Sequence, residues 1–128
     1  MATETRSPRP RRPGSRPRGG AEAQSWLFMR LSGLVLVFLA LAHFAITHVI
    51  NDVVETDYEF VADRWANPGW RVFDWVLLAL ALAHGVNGAR WVIDDYVRRP
   101  GRRAAVKAAV YGLTAFLFAL GTFTIVTF

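Results

Sequence analysis

The segment His84-Gly-Val-Asn-Gly88-Ala-Arg90-Trp-Val-Ile-Asp94-Asp95-Tyr96 sets a histidine inside an apolar run and ionisable groups one to three turns further along. A neutral imidazole in such a place can ligate a haem iron. A carboxylate and a phenol can donate to, and relay protons for, a quinone head group. Read as an α-helix, which turns about 100° per residue, the segment brings Gly88, Trp91 and Asp95 within roughly 40° of the direction of His84. Imidazole, a gap, an indole and a carboxylate therefore share one stripe.

The other histidines are His43 and His48, and the chain has no cysteine. Disulfides, Cys-ligated iron–sulfur clusters and thiolate catalysis are thereby excluded from it. His84 lies about 12 residues before Tyr96, roughly 18 Å along a helix, which is mid-membrane depth if the stripe spans a bilayer. Gly85 and Gly88 leave room for a flat macrocycle or for a close neighbouring helix. Axial ligation and a hydrogen bond to another helix both remain open for His84 on these grounds. Arg90 and Arg30 can pair with haem propionates or a quinone oxygen, or simply snorkel to the interface. Tyr96 has an interfacial-belt reading as well, shared in part with Trp26, Trp70, Trp75 and Trp91.

The elements that must carry these groups are membrane spans. The chain has 128 residues, of which 53% are apolar, and the excess falls in three blocks. The first runs from about Trp26 to Ile50, with no charge between Arg30 and Asp52, and the third from about Ala104 to Phe128, uncharged after Lys107. Both exceed the ~20 residues a span needs. The second, about Val72 to Val92, holds Asp74 near its start and Arg90 near its end, where each charge can snorkel or meet a partner. Three buried helices of a soluble bundle would be amphipathic, whereas these blocks are apolar most of the way round. A cleaved signal peptide fits the first block poorly, because its apolar run outruns the ~7–15 residues of a signal core and no convincing small-residue cleavage site precedes the polar loop.

Basic residues orient the spans. Arg6, Arg9, Arg11, Arg12, Arg16 and Arg18 precede the first block, and Arg98, Arg99, Arg102, Arg103 and Lys107 join the second to the third. Both clusters belong on the cytoplasmic side, while the acidic connection with Asp52, Glu55, Asp57, Glu59 and Asp63 belongs outside. The expectation is an all-α membrane protein with spans at about 26–50, 72–96 and 104–127, N-terminus in and C-terminus out. Residues 1–24 form a Pro/Arg/Gly/Ser tail expected to be disordered. Without interleaved aromatics, that tail reads as a topology determinant touching anionic lipid rather than as a nucleic-acid arm.

The pattern His84-x3-Gly88-x-Arg90-x4-Asp95-Tyr96, with Trp26-Leu-Phe-Met-Arg30-Leu-Ser32-Gly33 opening the first span, resembles the D-type hydrophobic membrane anchor of succinate dehydrogenase in its actinobacterial style. The resemblance covers residues 25–128. It implies a three-helix anchor in the bacterial cytoplasmic membrane, packed with a sister three-helix C subunit, and docked to a flavoprotein and an iron–sulfur protein that hold the FAD and the clusters. Higher oligomers of that complex are compatible with it.

Position by position, the resemblance assigns His84 as an axial ligand of a haem b shared with the sister subunit, and Arg90, on the guanidinium chemistry above, is the further candidate cofactor contact. Tyr96 and Asp95 fall on the quinone site, with Arg30 and Ser32 matching an Arg-x-Ser/Thr element near its pocket. In the sister subunit a histidine usually precedes that element, where this chain has Met29. The Asp-Tyr ending and the Phe-Met-Arg opening favour D over C. His43 is the runner-up ligand, sharing a helix face with Ser32, and His48 reads as interfacial. The quinone is menaquinone or ubiquinone. No group for oxidising succinate occurs in the chain, so that chemistry falls to partners. Two other classes compete: a cytochrome b-type anchor of another respiratory complex, such as a fumarate reductase or a formate dehydrogenase, and a non-redox membrane scaffold.

Overall fold

The computed structural model describes residues 19–128. The six arginines of the tail, Arg6 to Arg18, lie outside the described residues. Helix α1 spans Gly19–Phe44 and widens into a π-helical segment, Ala45–Ile50. A 3₁₀ turn at Val53–Glu55 leads to the short α2, Tyr58–Ala66, then α3, Pro68–Tyr96, and α4, Pro100–Thr127.

Three stretches are long and apolar enough to cross a membrane: Gly20–Ile50 with 31 residues, Pro68–Tyr96 with 29 and Pro100–Thr127 with 28. Their starts lie ahead of the apolar blocks, for a local reason. Asn67 accepts a hydrogen bond from the Gly69 amide at 2.8 Å, and Pro68 follows as the first helical residue. A capped start with proline at the first position forms a helix before hydropathy demands one. Pro100 opens α4 in the same way, and holds Arg99 extended before it. Helix α1 likewise begins early, at Gly19, upstream of the apolar block that opens at Trp26.

The outer connection is more structured than its charge pattern suggests. Asp52 caps the 3₁₀ turn through the Val54 amide at 3.1 Å, and Asp57 caps α2 through the Phe60 amide at 3.0 Å. Two of the acidic residues that mark the segment as extramembrane are thus helix caps.

Helix α3 is the middle element, packed against α1 on one side and α4 on the other. The α3–α4 seam closes around Gly121, where a Cβ would lie 2.5 Å from Leu78 Cδ2. Trp75 donates from Nε1 to Thr122 Oγ1 at 3.1 Å in the same seam. Antiparallel neighbours place the start of α1, the end of α3 and the start of α4 together at a basic end. The opposite end carries α2, with Phe128 stacked against Tyr58 and Trp65.

The described residues bury almost none of their own apolar surface. Among the described residues only Ile93 and Ile125 are buried hydrophobic side chains, while Phe38, Leu34, Phe116 and Phe123 are more than half exposed. A soluble bundle would enclose such residues, since burial of apolar area is what holds it together. Here they face lipid or neighbouring protein.

Candidate functional site

His84 stands midway along α3, half-buried and facing α1. Its Nδ1 lies 2.8 Å from the hydroxyl of Ser32, one of the least exposed residues of the chain at 3%. Ser32 Oγ also reaches the Met29 carbonyl one turn back, at 3.4 Å. Nε2 of His84 makes no hydrogen bond among the described residues. Small residues make the approach: a Cβ on Gly33 would sit 3.3 Å from His84 Cε1, and one on Gly88 would sit 3.4 Å from Met29 Cε. The helices touch here because two side chains are missing.

Toward the basic end, a polar bridge replaces that apolar seam. Ser25 on α1 donates to Asn87 Oδ1 at 3.0 Å, and Arg90 donates to Ser25 Oγ at 2.9 Å. Arg90 Nε is buried with no hydrogen-bond partner. Asn87 and Ser25 were not anticipated from sequence, although an asparagine three residues from both His84 and Arg90 belongs to the same face and could have been flagged. Arg30 does not join this bridge; its guanidinium lies 4.1 Å from the Trp26 ring centre.

The sequence-predicted residues at the end of α3 point into two hollows. Asp95 lines an open groove of about 590 Å³ together with Trp26, Arg90, Trp91, Asp94 and Glu22. Tyr96, 82% exposed, borders a separate hollow with Val97, Arg98, Arg99 and Arg102. Consecutive helical residues diverge by about 100°, which is why neighbours in sequence do not share a wall. Asp94 is committed elsewhere, with its carboxylate 2.6 Å from Lys107 Nζ and 3.8 Å from Arg103 Nε. That ion pair ties α3 to α4 at the basic end.

Ser32 is therefore brought to His84 and not to Asp95 and Tyr96. Arg30 reaches the groove only through Trp26, and Arg90 lies between the two stations.

A third polar cluster sits at the end that carries α2. Asp74 accepts from Arg64 at 2.8 Å and from Trp65 Nε1 at 2.8 Å, and Arg71 donates to the Trp65 carbonyl at 2.6 Å. The side chains of Arg64 and Asp74 are only 10% and 12% exposed. Asp74 thus meets its partner within the fold, as its place inside an apolar block requires. His43 Nδ1 approaches Asp74 to 3.3 Å, without hydrogen-bond geometry, and lines a cavity of about 450 Å³ beside Thr47, Phe60 and Leu78. Ser32 and His43 are about 16 Å apart along α1, so His43 and His84 belong to separate sites. His48 is exposed and stacks on Phe44. No group of three or more His, Asp or Glu side chains gathers among the described residues in a way that could hold a metal ion.

The geometry is that of polar stations set along a membrane-spanning helix, and known proteins share its sequence. The profile described as "Succinate dehydrogenase/Fumarate reductase transmembrane subunit" matches residues 5–121. A succinate dehydrogenase hydrophobic membrane anchor subunit from Archaeoglobus fulgidus is 33% identical over 103 residues, covering 80% of this chain and 83% of the relative. Three spans, a face of small and polar residues on the central helix and these two matches lead to one conclusion: the chain is an integral, multi-pass membrane protein belonging to the succinate dehydrogenase/fumarate reductase transmembrane subunit family.

Proposed function

We propose that the chain is the D-type anchor of a succinate:quinone oxidoreductase, contributing one axial histidine to a shared haem b and one wall of the quinone site. The observation that carries this reading is the Ser32–His84 contact at 2.8 Å. With Nδ1 engaged within the chain, the unpartnered Nε2 is the nitrogen left for iron. A haem bound there supplies a one-electron carrier. Gly33 keeps the Cε1 edge of the imidazole free of a side chain, and Gly88 leaves room for Met29 one turn on. Arg90 stands about 9 Å nearer the basic end, bonded to Ser25 and lining the open groove, and its guanidinium is the group that would pair with a propionate.

The basic end is cytoplasmic on this reading, because Arg98, Arg99, Arg102, Arg103 and Lys107 gather there. An iron–sulfur subunit docked at that end delivers electrons beside Asp95 and Tyr96. Tyr96 is the donor to a quinone oxygen, Asp95 is the acid one position back that supports the site from the adjoining groove, and Arg30 holds Trp26 against the groove wall. The second axial ligand comes from the sister anchor subunit, and succinate oxidation takes place in the flavoprotein. The quinone is menaquinone or ubiquinone, both of which present two carbonyl oxygens to such donors.

Reduced-minus-oxidised spectra of the purified complex test the central claim. His84→Ala should abolish or shift the haem α-band, whereas an intact band in that variant would assign the iron to another residue. A scaffold without redox function would show no α-band in the unmodified complex.

A further inference from the structure

Ser32, which the family pattern assigns to the neighbourhood of the quinone pocket, lies against His84. Its hydroxyl carries one proton and two lone pairs. That proton can go to the Met29 carbonyl or to His84 Nδ1, and the choice decides the tautomer of the imidazole. If Ser32 donated to Nδ1, the ring proton would sit on Nε2 and block ligation. If Ser32 instead donates to the Met29 carbonyl, 3.4 Å away, its oxygen accepts the Nδ1 proton and Nε2 is left as a lone pair. Gly33, the next residue on α1, lets backbone approach the ring edge at Cε1, the carbon between the two nitrogens. Adjacent residues of one helix thereby fix both the proton and the tilt of an imidazole on another.

We infer that Ser32 is a positioning residue for His84, holding it as the Nδ1–H tautomer with Nε2 directed to iron, and that this hydrogen bond sets the electron-donating strength of the ligand. The inference rests on the haem reading above. A neutral hydroxyl accepts the Nδ1 proton more weakly than a carboxylate would, so the imidazole is moderately basic. Partners of this kind orient a histidine and raise its basicity, and losing one typically weakens metal binding about 10–100-fold. Removing the acceptor makes the ligand a poorer donor, which disfavours ferric iron and raises the midpoint potential.

Ser32→Thr and Ser32→Val are nearly equal in shape and differ in the hydroxyl, so they separate hydrogen bonding from packing. In the intact complex, Ser32→Thr should keep the haem midpoint potential and low-spin electron paramagnetic resonance g values of the unmodified protein. Ser32→Val should raise the potential and shift those g values, and Ser32→Asp should lower the potential. Loss of haem from Ser32→Val with retention in Ser32→Thr is the same result in stronger form. Equal behaviour of Thr and Val, whether both normal or both depleted of haem, overturns the role of Ser32. The haem reading itself fails separately, through an α-band that survives His84→Ala.

Discussion

At the scale of single residues, the end of α3 divides its work by direction. Asp95 turns into the groove with Trp26 and Arg90, and Tyr96 turns out beside the arginines that follow it. A phenol so exposed contributes little to stability, since it covers almost nothing of its own chain. Tyr96→Phe should therefore leave the amount of assembled complex and its succinate-to-dye electron transfer unchanged while reducing quinone turnover. General acid assistance is typically worth about 10²–10⁴-fold, which bounds the expected fall. Equal loss of dye and quinone activities would show that Tyr96 matters to assembly instead.

The residue scale also shows where sequence reading stops. Gly88, Trp91 and Asp95 could be placed on the face of His84 because helical periodicity is a local rule. Ser32 could be singled out by type, but its partner lies 52 positions away. No periodicity connects α1 to α3, and the same holds for Ser25 with Asn87. Asp74 was visible as a charge needing a partner; that the partners would be Arg64 and Trp65 depended on an unforeseen helix.

Among the elements, the long helices were legible and the short one was not. Runs of apolar residues announce spans by composition alone. Helix α2 mixes Glu59, Asp63 and Arg64 with Phe60, Val61 and Trp65, so charge counting assigns it only to a connection. Its formation follows from the Asp57 cap and from Arg64 and Trp65 both anchoring to Asp74. Packing of α4 on α3 depends instead on one missing side chain. The atoms nearest to a Cβ at Gly121 are the tip of Leu78, so a small substituent needs only a rotamer change while a large one forces the helices apart. Gly121→Leu should destabilise by about 1–3 kcal/mol, the usual cost of overpacking. Gly112, with nothing within 4 Å of its Cβ position, gives the comparison. Thermal unfolding of the detergent-solubilised complex should drop for Gly121→Leu and hold for Gly112→Leu; similar drops in both would place the critical contact elsewhere.

For the molecule as a whole, charge asymmetry and the exposed apolar surface act together. The basic end holds Arg98 to Lys107, and the opposite end holds the acidic connection. Because the chain has no cysteine, single introduced cysteines report topology without background from this subunit. Glu59→Cys, exposed on α2, should react with a membrane-impermeant maleimide added to cells whose outer surface is accessible, and Arg102→Cys should react only in inverted vesicles. The reverse pattern would invert the orientation and carry Tyr96 away from any cytoplasmic electron donor.

The π-helical close of α1 has a consequence for length rather than for chemistry. A π turn accommodates one more residue than the α-helix around it and behaves as an insertion absorbed without breaking the rod. Residues after it are displaced in phase by up to about 100° from where regular winding would put them. Thr56, which bonds back to the Thr47 carbonyl at 3.2 Å, is anchored to this displaced stretch. Deleting one residue between 45 and 50 would restore ordinary winding and swing the entry of the outer connection around the helix, leaving Ser32 and everything before it untouched. The two ends of one span can thus diverge independently: the half facing His84 is held to register, and the half beyond His43 can gain or lose a residue.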